Sequence, residues 1–309
     1  MISSIFEKTK PINFILLLVF LFLFYWSVQF YLFDYTFSGI EIAPSVVVLF
    51  TLLFSVFVVD FVVKRNKLTG ANSFAILYYS LLFVVFPETL GDSNAIFTSF
   101  FLLLSMRRLL SIKSLKNIKL KIFDSGLWIC FSSIFYEWSL LYLILVFAAI
   151  YIYEPKNIRN WLIIPSVGFC FFMILYGILV VLDKTAFLAN HYDFAIDFDS
   201  LFPIKWWSSI KLSLYALLNI GLGFWIFVHL GKSGMGKAVV MRLIALSFII
   251  GLVVNLLVTS DNTNAVIITF FPSVIYMVNY LESIKKPKFL ELILIFSIVV
   301  PIVVYVTKL

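Results

Sequence analysis

Three acidic side chains stand in unusual surroundings in this sequence. The stretch SIFYEWSLL, residues 133–141, holds Glu137, the one charged residue between Asp124 and Glu154. Glu88 and Asp92 bracket the short polar turn PETLGD, residues 87–92, between two further apolar runs. A carboxylate in such a setting can act as a general base or engage a cationic or hydroxyl-bearing ligand, because water is scarce and the charge is poorly screened. A second acidic group lies farther along. His191, Asp193 and Asp197 combine an imidazole with two carboxylates spaced i, i+4, a pattern that could hold a divalent cation, the one cofactor these residues suggest. Asp34 and Glu41 mark the first polar break after the N-terminal apolar run.

The elements that must position these groups follow from composition. With 63% hydrophobic and 13% charged residues and a mean hydropathy of +1.09, the chain lacks the polar surface of a soluble globule and belongs in a lipid bilayer. Apolar runs fall at 12–33, 45–63, 73–87, 95–110, 122–135, 138–153, 161–182, 208–229, 238–259, 265–281 and 289–306. They are continuous, not alternating, so the expected fold is all-α: a single polytopic bundle over residues 1–309 with about eleven spans. The first run lacks a cleavage signal and is kept as a span.

Charge assigns the sides. With the N-terminus cytoplasmic, nineteen of the 23 basic residues fall on the inner side and ten of the 16 acids on the outer side. Treating 122–153 as one helix would lower the inner basic count to fifteen, so a helical hairpin with Glu137 at its outer tip is preferred. Both that hairpin and its predecessor are short: 122–135 spans roughly 21 Å and 138–153 roughly 24 Å, against about 30 Å of hydrocarbon. Their turns would then lie below the outer surface, and Glu88, Asp92 and Glu137 could line a water-filled recess. Local thinning of the bilayer, or helices longer than these runs, would instead bring the turns to outer water.

Two connecting segments carry further expectations. In the outer loop, residues 183–207, Asp193, Asp197 and Ser200 recur at i, i+4, i+7, which predicts an interfacial amphipathic helix ended by Pro203 and followed by Trp206 and Trp207. On the inner side, residues 107–121 read RRLLSIKSLKNIKLK, and the spacing predicts a basic amphipathic connector helix. Arg107, Arg108, Lys113, Lys116 and Lys119 would meet anionic lipid headgroups, with a phosphorylated polyisoprenoid lipid as a further candidate. A net charge of +7 distributed in this way argues against nucleic acid as a partner. Cys130 and Cys170 both lie in apolar runs and are expected to be buried thiols. GKSGMGK, residues 231–237, lacks the Ser or Thr of a phosphate-binding loop, since Ala238 stands there, and two histidines are too few for an iron centre.

The segments MISSIFEKTKPINF, KIFDSGLWICFSSIFYEWSLLYLILVFAAIYIYEPKNIRNWLIIP and ITFFPSVIYMVNYLESI resemble an uncharacterised family of multi-pass membrane proteins from Bacteroidota. That resemblance implies a bacterial inner membrane and no established activity. Members are sometimes labelled carotene monooxygenases, a label at odds with the two histidines here. Three functional classes follow. A non-catalytic subunit or scaffold for envelope biogenesis, bound to other membrane proteins, requires no site and is preferred from the sequence. A membrane-embedded glycosyltransferase-like or lipid-linked glycan-handling enzyme would use an outward-facing acidic site. Such enzymes carry an essential acid in a long first outer loop, and Asp34 or Glu41 would correspond, although the loop here runs only to about Pro44. A transporter would draw on Pro165, Pro272, Asn219, Asn255 and Asn279 near the midplane.

Overall fold

The computed structural model describes residues 2–34, 39–194, 206–230, 235–257 and 265–306. All regular structure among them is helical. The helices are α1 (Ile2–Phe6), α2 (Pro11–Leu32), α3 (Gly39–Asn66), α4 (Phe74–Val85), α5 (Ser93–Leu110), α6 (Ile118–Ser133), α7 (Leu143–Tyr153), α8 (Ile158–Val181), α9 (Ala186–His191), α10 (Trp206–His229), α11 (Met235–Leu257), α12 (Phe270–Ser283) and α13 (Pro287–Val306). Among the described residues, 3-10 turns join them at Pro87–Gly91, Ser111–Ser114, Glu137–Tyr142 and Ala265–Thr269.

Each of the eleven apolar runs carries a helix, and eight segments are long and apolar enough to cross a membrane. The exceptions are α4, α6 and the Glu137–Tyr153 segment. Shortness has a packing counterpart in α4: eleven of its twelve residues are buried, so it is the central post of the bundle, with α3, α12 and α13 around it. Because it meets protein on every side, it does not need a polar face or a lipid-spanning length. By contrast, α13 buries only Leu294 and Tyr305 and presents the rest of its apolar surface outward.

Side chains sort the loops into two ends. At one end Ser73 N donates to Phe6 O at 2.8 Å, Lys113 Nζ to Asn66 O at 2.8 Å, and Asn279 Nδ2 to Leu68 O at 3.1 Å. Glu282 accepts from Gly70 N at 2.7 Å, and Lys237 Nζ donates to Asn279 Oδ1 at 3.1 Å. These loops carry most of the basic residues. At the other end Gln29 Nε2 donates to Leu90 O at 2.9 Å and Ser99 Oγ to Ile267 O at 3.4 Å. These contacts gather loops at two ends of the bundle.

Three sequence expectations change. The connector over 107–121 is not one helix: α5 ends at Leu110, a 3-10 turn follows, and Leu115 (φ 54°) and Asn117 (φ 52°) are left-handed before α6 starts. The chain must reverse between antiparallel neighbours α5 and α6 within seven residues, which a continuous helix cannot do. In the outer loop a short helix not expected from the sequence forms at Ala186–His191; Asp193 and Phe194 are non-helical, and the rest of the expected interfacial helix, residues 195–203, lies outside the described residues. Cys130 is buried as expected, but Cys170 is exposed on the outer face of α8. The GKSGMGK stretch lies largely outside the described residues.

Candidate functional site at the acidic end

The first hairpin turns through Pro87–Gly91, and Asp92 begins α5. Asp92 is the helix cap: its Oδ1 accepts from Ala95 N at 3.0 Å, satisfying one of the orphan amides of a helix start. Its other oxygen, Oδ2, accepts a short hydrogen bond from Tyr136 Oη. Asp92 is 8% exposed and Tyr136 3%, so the pair joins the tips of the two hairpins inside protein. Glu88 accepts from Lys211 Nζ at 2.8 and 2.9 Å, and the same ammonium lies 4.9 Å from the centroid of Phe86. At Gly91 a Cβ would sit 2.2 Å from the tip of the exposed Phe33 ring, which would have to swing aside.

The second hairpin reverses at residues 134–136. Ser132 and Ser139 join hydroxyls across the tip at 2.7 Å, which leaves Glu137 at the first position of the following 3-10 turn, half-buried. A cover lies over it. After α8 the chain turns at Asp183 (φ 53°), forms α9, and comes back: His191 Nε2 donates to Ser133 O at 2.8 Å, Tyr192 and Ser133 share a hydroxyl hydrogen bond of 3.0 Å, and Phe194 meets Trp138 edge-on at 5.3 Å. Burial pushes the Tyr192 hydroxyl above its ordinary value and the Ser133 hydrogen bond opposes the rise, while Cys130 and the nearby Glu137 charge add to it. Among the described residues the Glu137 carboxylate has no ion pair.

Depth can be read from the helices. Tyr192 packs on Phe172 at 5.3 Å, nine residues before the end of α8 at Val181. At 1.5 Å per residue the second tip therefore lies roughly 13 Å below that end. The first tip is shallower: Gln29 is three residues from the end of α2 and Lys211 five residues into α10, roughly 5–8 Å.

The structure thus brings Asp92 and the residue before Glu137 together and ties Glu88 into the same level, while Asp34 is exposed and left-handed (φ 48°) at the end of α2. The side chain of Glu41 and all of Asp197 lie outside the described residues. His191 turns its Nε2 toward Ser133 and Asp193 is exposed; with Asp197 outside the described residues, the expected cation trio is not described as a unit. The five basic residues expected at lipid headgroups are dispersed: Arg108 pairs with Asp124 at 3.0 Å, Arg107 lies over Phe61, Lys113 holds Asn66 O, and Lys116 and Lys119 are exposed. Of the transport candidates, Pro165 sits inside unbroken α8, and Asn219 and Asn279 bond backbone carbonyls of neighbouring turns.

Tyr136, Gln29, Tyr192 and Lys211 were missed from the sequence. Only Lys211 carried a signal, as one of four basic residues on the acidic side. No model of a known protein family matches the chain, and searches of curated proteins and of solved structures found no match either.

Proposed function

We propose that this multi-pass membrane protein is an enzyme that acts on a lipid-linked substrate, of the glycan-handling kind, from its acidic end. In this reading that end faces outward across a bacterial inner membrane, the N-terminus is cytoplasmic, and all eleven apolar helical segments serve as spans, three of them short. Glu137 is the proton-accepting group. The observation that supports it is the half-buried Glu137 carboxylate at a hairpin tip roughly 13 Å below the end of α8, beneath the cover carried by Tyr192 and Phe194. A lipid-linked headgroup can reach such depth from the side, whereas a soluble substrate would have to pass the cover. Asp92 and Glu88 hold the tips in place through Tyr136 and Lys211, a supporting role that leaves Glu137 as the reactive acid.

A second reading, a non-catalytic subunit of an envelope-assembly complex, draws on the outward apolar faces of α8, α10 and α13, which exceed what this chain packs against itself. The two are separated by cysteine accessibility and co-purification. In a background without Cys130 and Cys170, Glu137→Cys should react in intact cells with a small impermeant thiol reagent and resist a bulky one, while Asp193→Cys reacts with both. No reaction at 137 with either reagent would sink the enzymatic reading. Stoichiometric capture of another membrane protein, with Glu137→Gln indistinguishable from wild type in cells, would establish the subunit.

A further inference from the structure

A second site lies on the lipid side of α3, at the basic end. Phe50, Phe54, Phe57 and Phe61 are spaced by four, three and four residues, so they share one side of the helix. All four are exposed, and the rings of Phe50 and Phe54 are near parallel at 6.2 Å, with Phe100 at 5.8 Å from Phe54. The stripe runs into a surface cleft lined by Phe57, Asp60, Phe61, Lys64 and Arg65. From α5, Arg107 places its guanidinium 4.8 Å from the centroid of Phe61, one of the residues that line the cleft. Asp60 answers Lys64 at 2.7 Å, but among the described residues neither Arg65 nor Arg107 has a carboxylate within ion-pair reach.

Two unpaired guanidiniums beside an aromatic track, on a surface that meets lipid, call for an anion with an apolar body. We propose that this cleft binds one anionic phospholipid, its phosphate between Arg65 and Arg107 and one acyl chain along the phenylalanine stripe. Lys64 is offset by Asp60, so the excess positive charge comes from Arg65, Arg107 and Lys67, two residues beyond Arg65, and it disfavours a zwitterionic headgroup carrying its own ammonium. The site is independent of Glu137 and of the exposed Lys116 and Lys119 on the connector.

The test is native mass spectrometry of the full-length protein titrated with phosphatidylglycerol or phosphatidylethanolamine of identical acyl chains. Wild type should retain one phosphatidylglycerol, bound about tenfold more tightly than phosphatidylethanolamine. The double variant Arg65→Gln/Arg107→Gln should lose about 10- to 30-fold of that affinity, and Lys116→Gln/Lys119→Gln less than twofold. Equal binding of the two lipids to wild type overturns the proposal without recourse to any variant. So does a loss confined to the connector variant, or displacement of the lipid by millimolar inorganic phosphate, which would mean that the stripe contributes nothing.

Discussion

The basic and acidic ends of the bundle use their carboxylates differently. At the basic end Glu282 accepts from Gly70 N and the Asn72 side chain, Glu291 accepts from Ser3 N, and Glu154 from Asn157 and Asn160. Among these contacts those of Glu282 are exposed and compete with solvent, while those of Glu291 and Glu154 are partly buried, with Ser3 and Asn160 inside protein. At the acidic end the corresponding contacts lie inside protein: Asp92 and Tyr136 are almost fully buried, and Gln29 reaches a backbone carbonyl of the first tip. Glu282 is therefore more replaceable than Asp92, because a buried partner left unpaired keeps its full desolvation cost.

That contrast can be broken by substitution. Asp92→Ala removes the cap of α5 together with its buried hydrogen bond from Tyr136, and should cost about 3 kcal/mol in unfolding titrations in mixed micelles; a loss below about 1 kcal/mol would mean that the tips are not coupled. Next comes Gly91→Ala, which pushes the exposed Phe33 ring aside and should cost about 1 kcal/mol, part of it recovered in the double variant with Phe33→Ala. At the basic end Glu282→Gln should cost only about 1 kcal/mol, since its partners are exposed. Arg108→Gln opposite Asp124, both partly exposed, should cost under about 0.5 kcal/mol and nothing measurable at high salt. Sharpest of all is Glu137→Gln: with no ion pair among the described residues, it should leave stability within about 0.5 kcal/mol of wild type. A large destabilisation would turn Glu137 into another structural acid and remove it as a reactive group.

Much of the fold was legible because its signals are local. Each continuous apolar run carries a helix, and the hairpin at Glu137 followed from one charge and the balance of basic residues on either side. The connector at 107–121 misled for an equally local reason. Apolar and basic residues repeating every third position fit a helix, but they fit just as well a turn that buries Ile112 and Ile118 and leaves the lysines in water. The left-handed Leu115 has no sequence signature, unlike Asn117, whose side chain tolerates that conformation.

The candidate site was legible only as a set of acids. Gln29 and Leu90 are 61 residues apart, Asp92 and Tyr136 are 44 apart, and Lys211 is 123 from Glu88; nothing in the intervening sequence links them. What the sequence by itself determined is the solvent, the helices and the segregation of charge between the loops, since hydropathy and charge act residue by residue along the chain. Only the tertiary structure decided which acids are structural and which is left half-buried beneath a cover. Burial and hydrogen-bond pairing are properties of neighbours in space, and for this chain those neighbours come from helices far apart in sequence.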